Sequence, residues 1–286
     1  MKGAVLGILL LAHGGDPSWD AEVRALRAKV DAKVPTEVAL GMADPGTLQA
    51  GLDALKARGV TEVAAVPLFV HSRSEVLDQT RYALGLADKP SEVLRLGMER
   101  MMKAHAGHAM PGGAHHHMFS LERVKTDLRV RLTPALDDDP LVSRILLERA
   151  KALSKDPKTE TVVLVAHGPV DDAALPAWNA TLALHAARVA SGGGFRAAFG
   201  AVLRDDASPE VRASSVGALR RLVAAGAKSG RTIVVPVLIA RGGIEGKLPK
   251  DLAGLDYAWD GATLMPHDGF DAWVLGRATN ATEQPR

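Results

Sequence analysis

The sequence predicts an α/β fold of two similar domains in tandem, each a parallel β-sheet flanked by helices. Three pairs of similar segments support this prediction, because they recur in the same order in both halves of the 286-residue chain. The pairs are GILLLAHGG (7–15) with TVVLVAHGP (161–169), EVAAVPLFVHSRSE (62–75) with TIVVPVLIARGGIE (232–245), and VRLTPALDDDPLVSRILLERA (130–150) with ATLMPHDGFDAWVLGRATNA (262–281). We therefore expect an N-terminal domain at 1–157 and a C-terminal domain at 158–286.

In the first half, strands and helices alternate. Apolar runs predict strands at 4–12, 36–43, 62–70 and 129–136, and helices are predicted at 16–33, 45–59, 74–86 and 140–156. The first helix shows the reasoning, since Trp19, Val23, Leu26 and Val30 recur at helical spacing and form one apolar face. The run at 62–70 is apolar nearly throughout, which is typical of a strand covered on both faces in a parallel sheet.

The second half repeats the alternation. Strands are predicted near 161–166, 196–203, 231–239 and 262–266, and helices near 172–190, 208–226 and 268–279. Strands that alternate with helices of these lengths favour a parallel sheet with helices on both faces.

Composition restricts the classes of function. The chain has no cysteine, so a metal site must use His, Asp, Glu or Met, and thiol chemistry is excluded. The formal charge of +2 gives no support for nucleic-acid binding. We interpret residues 4–12 as a strand rather than the core of a signal peptide, because Val162–Ala166 takes the same place in the second half. We expect a cytoplasmic protein without a membrane span; a processed export signal stays an open alternative.

One segment, 98–120, has no counterpart in the second half. It holds five of the ten histidines and five of the eight methionines, including His105, His108 and His115–His117. Its lack of period predicts a mobile insertion. Weak binding of Cu, Ni, Co or Zn and the absence of any metal role are equally open for it.

Two histidines are the first candidates for chemistry. His13 and His71 each follow a predicted strand, so both are expected at the carboxyl edge of one sheet, where open α/β sheets form their sites. Two imidazoles there suit a divalent metal, or one suits a base near neutral pH. The alternative is a pair of exposed loop histidines without a role. Glu75 is a candidate metal ligand or proton relay, or else an acid that stabilises a helix N-terminus.

Arginines are expected at the same edges. Arg73 and Arg241 are candidates for binding carboxylates, for which the guanidinium fork is well shaped, and solvated surface charge is the alternative for each. The sequence lacks a Walker A motif, a Gly-x-Gly-x-x-Gly after a strand, a Gly-x-Ser-x-Gly and a His-Glu-x-x-His. Nothing therefore predicts a nucleotide cofactor or a serine nucleophile.

These residues resemble a known family. LLLAHGG, a Trp-containing helix, TEVALGMADP and GVTEVAAVPLFVHSRSEV are together similar to the sirohydrochlorin cobaltochelatases, which are ATP-independent (class II) tetrapyrrole chelatases. The resemblance covers both halves and omits the insertion, and it implies two chelatase-like domains in tandem with a cleft between them. It implies an enzyme that inserts Co²⁺, or in relatives Ni²⁺ or Fe²⁺, into a carboxylate-rich macrocycle, with the metal as substrate and no nucleotide.

The resemblance also implies site residues. His13 matches the first metal-binding histidine of the family. Relatives often have the second where this chain has Arg73, so His71, two positions earlier, is the candidate here. The second half retains only His167, so one metal site is expected, in the first half. The alternative is a non-catalytic metal-binding or metal-delivery protein on the same fold.

Overall fold

A computed structural model describes residues 3–14, 17–90, 95, 121–239, 241 and 243–279, and the insertion at 98–120 lies outside them. The chain divides into two units by its internal contacts. Unit 1 comprises Met1–Ala135 and Gly269–Arg286, and unit 2 comprises Leu136–Asp268. Of the helices in the described residues, none combines the length and apolar character needed to cross a membrane.

The described residues form the following seven strands and eight α-helices. The strands are β1 (Leu6–Ala12), β2 (Thr36–Leu40), β3 (Glu62–Pro67), β4 (Arg129–Leu132), β5 (Glu160–Ala166), β6 (Ala197–Val202) and β7 (Arg231–Val237). The helices are α1 (Pro17–Asp31), α2 (Pro45–Ala57), α3 (Glu75–Ala83), α4 (Pro140–Leu153), α5 (Leu175–Gly193), α6 (Pro209–Lys228), α7 (Ile244–Asp251) and α8 (Gly269–Thr279). The predicted alternation of strands and helices is confirmed for these elements.

Unit 1 contains a four-stranded parallel sheet with the order β2-β1-β3-β4. The central strand β1 has neighbours on both sides and helices over both faces, so Ile8 to Ala12 are buried. This burial explains the apolar run that opens the sequence. Helix α1 buries the four side chains predicted to form its apolar face, namely Trp19, Val23, Leu26 and Val30.

Unit 2 contains a three-stranded parallel sheet with the order β6-β5-β7. Its central strand β5 is buried along its whole length, and β1 in unit 1 is buried at every residue after Leu6. The order β6-β5-β7 corresponds to β2-β1-β3, so His13 and His167 each follow the central strand of a parallel sheet. The expected fold class, two parallel sheets flanked by helices, is therefore confirmed.

The last helix of each half, α4 and α8, packs in the unit of the other half rather than on its own side of the boundary expected at 157/158. Helix α4 follows β4 in the chain but packs on α5 and β7 in unit 2. Helix α8 follows the last segment of unit 2 but packs on α1 and β3 in unit 1. There the guanidinium of Arg131 donates a hydrogen bond to the Ala278 carbonyl. Each closing helix thus covers the sheet of the other half.

The prediction of a fourth strand at 262–266 in the second half is wrong. Within the described residues, this segment meets the chain beyond β7 where the Leu264 and Met265 amides donate to the Leu238 and Ile239 carbonyls. A turn at Gly261, with φ 71°, separates these bonds from an isolated bridge between Ala258 and Ile233. No continuous ladder forms, so the segment is not a strand.

An ordered segment, 121–128, returns from the insertion onto the helices of unit 1. The Gln49 side chain on α2 donates to the Lys125 carbonyl at 3.0 Å and accepts from the Lys125 amide at 2.7 Å. Arg123 lies over the Tyr82 ring at 4.4 Å and donates to the Ala87 carbonyl at 2.7 Å. These contacts hold segment 121–128 on the part of unit 1 that contains Gln49, Tyr82 and Ala87.

Candidate functional sites at the carboxyl edges of the sheets

His13 follows β1 directly and is exposed at the carboxyl edge of the first sheet. The next residue, Gly14, has φ 73° and turns its carbonyl back towards the ring, whose Nδ1 lies 2.9 Å from that oxygen. Because a carbonyl can only accept, Nδ1 carries a proton, and the neutral ring has its lone pair on Nε2. None of the described residues bonds this nitrogen. The arrangement is the one that metal-binding histidines use, with Nδ1–H held by a carbonyl.

A small crevice lies at the same edge of unit 1. Its volume of about 10 Å³ leaves space for at most one water molecule. Its lining is mostly apolar: Leu11, Ala39, Gly41, Ala43, Asp44, Thr47, Leu48, Phe69, Val76 and Thr80. The one carboxylate in the lining, Asp44, caps α2 by accepting a hydrogen bond from the Gly46 amide at 2.7 Å. The crevice is too small for a macrocycle to enter.

His71 lies in the loop after β3 and is only 5 % exposed. Its Nδ1 accepts a hydrogen bond from the Arg73 amide at 2.9 Å. The neutral ring therefore carries its proton on Nε2, which in this state has no lone pair for a metal. The ring has to release the Arg73 amide before it can bind a metal through Nε2. That His71 is a metal ligand stays a prediction, and it requires this loop to rearrange.

Glu75 is the first residue of α3, where a carboxylate faces the positive end of the helix dipole. It lies close enough to Asp78 for its charge to act on that group. Burial raises the pKa of Asp78 above its ordinary value, and the charge of Glu75 adds to this, against the opposing effect of Arg81 at 2.9 Å. Both predicted roles of Glu75, in helix stabilisation and in chemistry, remain consistent with this position.

His167 has a carboxylate partner in unit 2. Its Nδ1 lies 2.7 Å from the Gly168 carbonyl, as in the first unit, but its Nε2 lies 3.1 Å from the Asp206 carboxylate. Two acceptors on the two ring nitrogens favour the imidazolium form of the ring. Burial opposes the charge, but the bonds to Asp206 and Gly168 outweigh it and raise the pKa of His167 above its ordinary value. The same bond lowers the pKa of Asp206.

Ion pairs fix the loop that carries Asp206. The side chain of the neighbouring Asp205 is 5 % exposed, and it contacts both Lys247 and Arg212 at 2.7 Å. Burial works against its charge, but these two cations lower the pKa of Asp205 below its ordinary value. Arg212 also contacts Asp251 at 2.8 Å. The carboxyl edge of the second sheet is therefore occupied by a linked set of ion pairs.

The predicted site residues are brought to the sheet edges in two groups. In unit 1, His13 lies in the loop after β1, His71 and Arg73 lie in the loop after β3, and Glu75 begins the helix that follows that loop. In unit 2, Arg241 lies exposed in the loop after β7. Among the residues that the structure describes, no group of three or more His, Cys, Asp or Glu side chains is arranged to hold a metal ion.

Sequence reasoning missed Asp206. The signal that points to it is positional, because Asp205 and Asp206 follow β6, whose last residue Val202 pairs with Ala166 next to His167. Carboxyl ends of neighbouring parallel strands meet at one edge. An acidic pair after that strand was therefore a candidate partner for the histidine.

Known proteins share sequence features and the fold of this chain. A family model, CbiX, matches residues 7–153. A search of curated proteins finds no match. Among solved structures, SirB from Bacillus subtilis with Fe³⁺ is similar, with a TM-score of 0.63, 16 % identity and 96 % of each chain covered.

Two further structures are similar at low identity. One is CbiX, described as the terminal enzyme for biosynthesis of siroheme in denitrifying bacteria, with a TM-score of 0.54, 18 % identity, and 97 % of this chain and 100 % of that chain covered. The other is DR2241 from Deinococcus radiodurans, a multi-domain protein with structural similarity to chelatases, with a TM-score of 0.55 and 19 % identity. The match covers 99 % of this chain and 56 % of DR2241.

The family match extends over more than half of the chain and includes the strand that ends at His13. The solved structures independently share the arrangement of two parallel sheets flanked by helices. This chain therefore belongs to the CbiX family of ATP-independent (class II) tetrapyrrole chelatases.

Proposed function

We propose that this protein inserts Co²⁺ into sirohydrochlorin or a closely related tetrapyrrole, with Ni²⁺ or Fe²⁺ as the alternative metal. Membership of the chelatase family supports the coarser statement, insertion of a divalent metal into a tetrapyrrole. The observation that carries the proposal at residue level is the exposed Nε2 of His13, oriented by the bond from Nδ1 to the Gly14 carbonyl.

His13 is the proposed point of metal capture. A neutral imidazole binds Co²⁺, Ni²⁺ and Fe²⁺ well, yet one imidazole holds the ion weakly enough to release it to the four nitrogens of a macrocycle. The fixed Nδ1–H orients the ring and raises the basicity of Nε2. In this proposal His71 joins as a second ligand only after its bond to the Arg73 amide opens.

Metal insertion also has to remove two pyrrole protons. Once the ion has moved to the macrocycle, His13 Nε2 is free to accept one of them. Glu75 is the proposed relay for the second, since it lies in the first turn of α3 after the His71 loop. The protons then pass to solvent at this exposed edge.

Arg73 and Arg241 are the proposed binding groups for substrate carboxylates. Both are exposed, and guanidinium groups form paired hydrogen bonds with carboxylates. Because exposed charges are screened by salt, substrate affinity should fall as ionic strength rises from about 0.01 M to 0.15 M. A change of kcat without a change of KM over this range would contradict this assignment.

The experiment that tests the function is a metal-insertion assay. Purified protein is mixed with sirohydrochlorin and Co²⁺, Ni²⁺ or, without oxygen, Fe²⁺, and the absorbance of the macrocycle is followed against protein-free controls. Repeated turnover above the uncatalysed rate, with Co²⁺ fastest, is expected. A spectral change that stops at one equivalent per chain would show a tetrapyrrole-binding protein and overturn the proposal.

One observation favours a second candidate, a metal-binding or metal-delivery protein on the chelatase fold. The bond between His71 Nδ1 and the Arg73 amide leaves His13 as the one imidazole ready to bind a metal at the edge of unit 1, within the residues described. The same assay separates the candidates, because metal binding without any spectral change of the macrocycle identifies the delivery protein.

A further inference from the structure

His167 and Asp206 form a second pair of metal-binding atom types, remote in sequence from the candidate ligands of unit 1. We propose that His167 Nε2 and Asp206 Oδ2 together bind a divalent transition-metal ion, with water completing its coordination. This site is distinct from the one proposed at His13. It concerns binding of the ion alone, so it stands or falls independently of turnover.

The separation of the two atoms fits one ion. Nitrogen and oxygen ligands lie about 2.0–2.2 Å from Zn²⁺, so two ligands at angles of 90–110° are about 3.0–3.4 Å apart. His167 Nε2 and Asp206 Oδ2 are 3.1 Å apart. A metal ion can therefore replace the shared proton with small shifts of both side chains, and the Nε2 proton leaves to solvent.

The pair is held in place from both sides. The Gly168 carbonyl accepts from His167 Nδ1, which orients the ring and leaves Nε2 as the binding atom. The loops that carry the two residues are joined by Arg204, whose amide donates to the His167 carbonyl at 2.6 Å. The Arg204 side chain is buried and donates to the Pro169 and Val170 carbonyls at 3.1 and 2.6 Å. Ligands held this way lose little entropy on binding.

The surroundings favour a cation once the ring is neutral. Asp205, Arg212, Asp251 and Lys247 form one set of ion pairs, and Arg204 with Asp172 forms a separate pair. Together with Asp206 these groups count four carboxylates against three fixed cations. Asp205 uses its charge on Lys247 and Arg212, whereas Asp206 contacts the ring. The carboxylate that meets the metal is thus the one not committed to a guanidinium or an ammonium.

Access and ligand number indicate a weak, exchangeable site. The side chains of His167 and Asp206 are 33 % and 62 % exposed, which leaves room for water on the ion. Two protein ligands without a third fit reversible uptake rather than a permanent structural metal. One nitrogen and one oxygen donor suit Co²⁺, Ni²⁺, Zn²⁺ or Fe²⁺ rather than Ca²⁺ or Mg²⁺.

The described residues of unit 1 show no such pair at the matching positions. Leu40 pairs with Ala12 as Val202 pairs with Ala166, so Asp44 and Asp206 each lie four residues beyond a matched strand position. Asp44 instead caps α2 through the Gly46 amide. The second unit therefore presents its strand-end histidine to a carboxylate where the first presents it to solvent.

The test is Zn²⁺ titration of the full-length chain, observed through the ¹⁵N resonances of individual histidine rings. This readout distinguishes His167 from His13 and from the histidines at 105–117. We expect Zn²⁺ to convert His167 Nε2 from a protonated to a metal-bound nitrogen, in the wild type and equally in His13→Ala. Removal of hydrogen-bonding partners alone commonly weakens metal sites by about 10–100-fold, so loss of a direct ligand in Asp206→Asn should cost at least about tenfold.

Asp172→Asn is the matched control. It removes a nearby carboxylate that pairs with Arg204 and leaves both proposed ligands in place, so the Zn²⁺ concentration at half-conversion should change less than about threefold. If the two Asn variants weaken Zn²⁺ binding equally, the effect comes from the general negative charge and not from a direct ligand, and the proposal is overturned. So would a His167 Nε2 that stays protonated while His13 saturates, or tighter Zn²⁺ binding in Asp206→Asn.

Discussion

Replacing Phe270 with alanine should destabilise unit 1, although Phe270 lies in the last helix of the chain. The ring is 1 % exposed and packs edge-to-face on Trp273, with 6.2 Å between ring centroids. A buried Phe→Ala change costs about 3–5 kcal/mol of unfolding free energy, and the lost aromatic pair favours the upper part, about 4–5 kcal/mol. A domain is stable by only about 5–15 kcal/mol, so α8 should detach from α1 and β3 in a measurable fraction of molecules.

Amide hydrogen exchange locates the damage, and urea unfolding measures its size. Amides of β1 and β3 should lose protection, whereas those of β5 and β7 should keep it, because α8 packs on the first sheet. Ala272→Ser is the control, since Ala272 is exposed on the same helix and a surface change should cost within about 0.5 kcal/mol. Loss of protection confined to β5 and β7 would refute the exchange of closing helices.

Three further outcomes are expected. His71→Ala should lower the unfolding free energy in urea titration by about 1–3 kcal/mol, because it leaves the Arg73 amide without an acceptor. His71→Asn, whose side-chain oxygen can accept, should recover most of this loss, and equal losses in the two variants would contradict the hydrogen bond. Burial lowers the pKa of His185, so the stability that the neutral ring contributes is complete above about pH 6.5 and is lost as pH falls towards the lowered pKa. His185→Gln should flatten the pH dependence of the unfolding free energy between about pH 7 and 5, and an unchanged slope would refute this assignment. Deletion of 98–120 should leave the melting temperature nearly unchanged, since 121–128 is anchored on unit 1, and should reduce the number of weakly bound Ni²⁺ ions; a large drop in melting temperature would show a packed element.

Local pattern was sufficient for most of the fold. The run at Ile8–Ala12 had to be a central strand, because only burial on both faces accommodates five consecutive apolar residues near a polar turn. The face formed by Trp19, Val23 and Leu26 likewise specified a helix packed on one side. Such features depend on neighbours in sequence, so periodicity reveals them.

Features that depend on contacts between distant segments of the chain could not be predicted from local sequence periodicity. The sheet that α8 covers is decided by the path of the chain through space, and its apolar face fits either sheet by pattern alone. The orientation of His71 follows from one hydrogen bond to the Arg73 amide, which no spacing rule contains. The contact between His167 and Asp206 joins residues 39 positions apart and requires the strand order β6-β5-β7.

The most direct test of the account is the initial rate of cobalt insertion into sirohydrochlorin by His13→Ala at saturating Co²⁺. His267→Ala is the control, because His267 belongs to unit 2, where its ring contacts Glu148; circular dichroism confirms that both variants are folded. We predict that His13→Ala loses at least about a hundredfold in rate, as expected when a group that binds the metal and takes up a proton is removed, and that His267→Ala keeps the wild-type rate. A folded His13→Ala that inserts cobalt at the wild-type rate, with activity lost in His167→Ala instead, would show that the insertion site lies in unit 2.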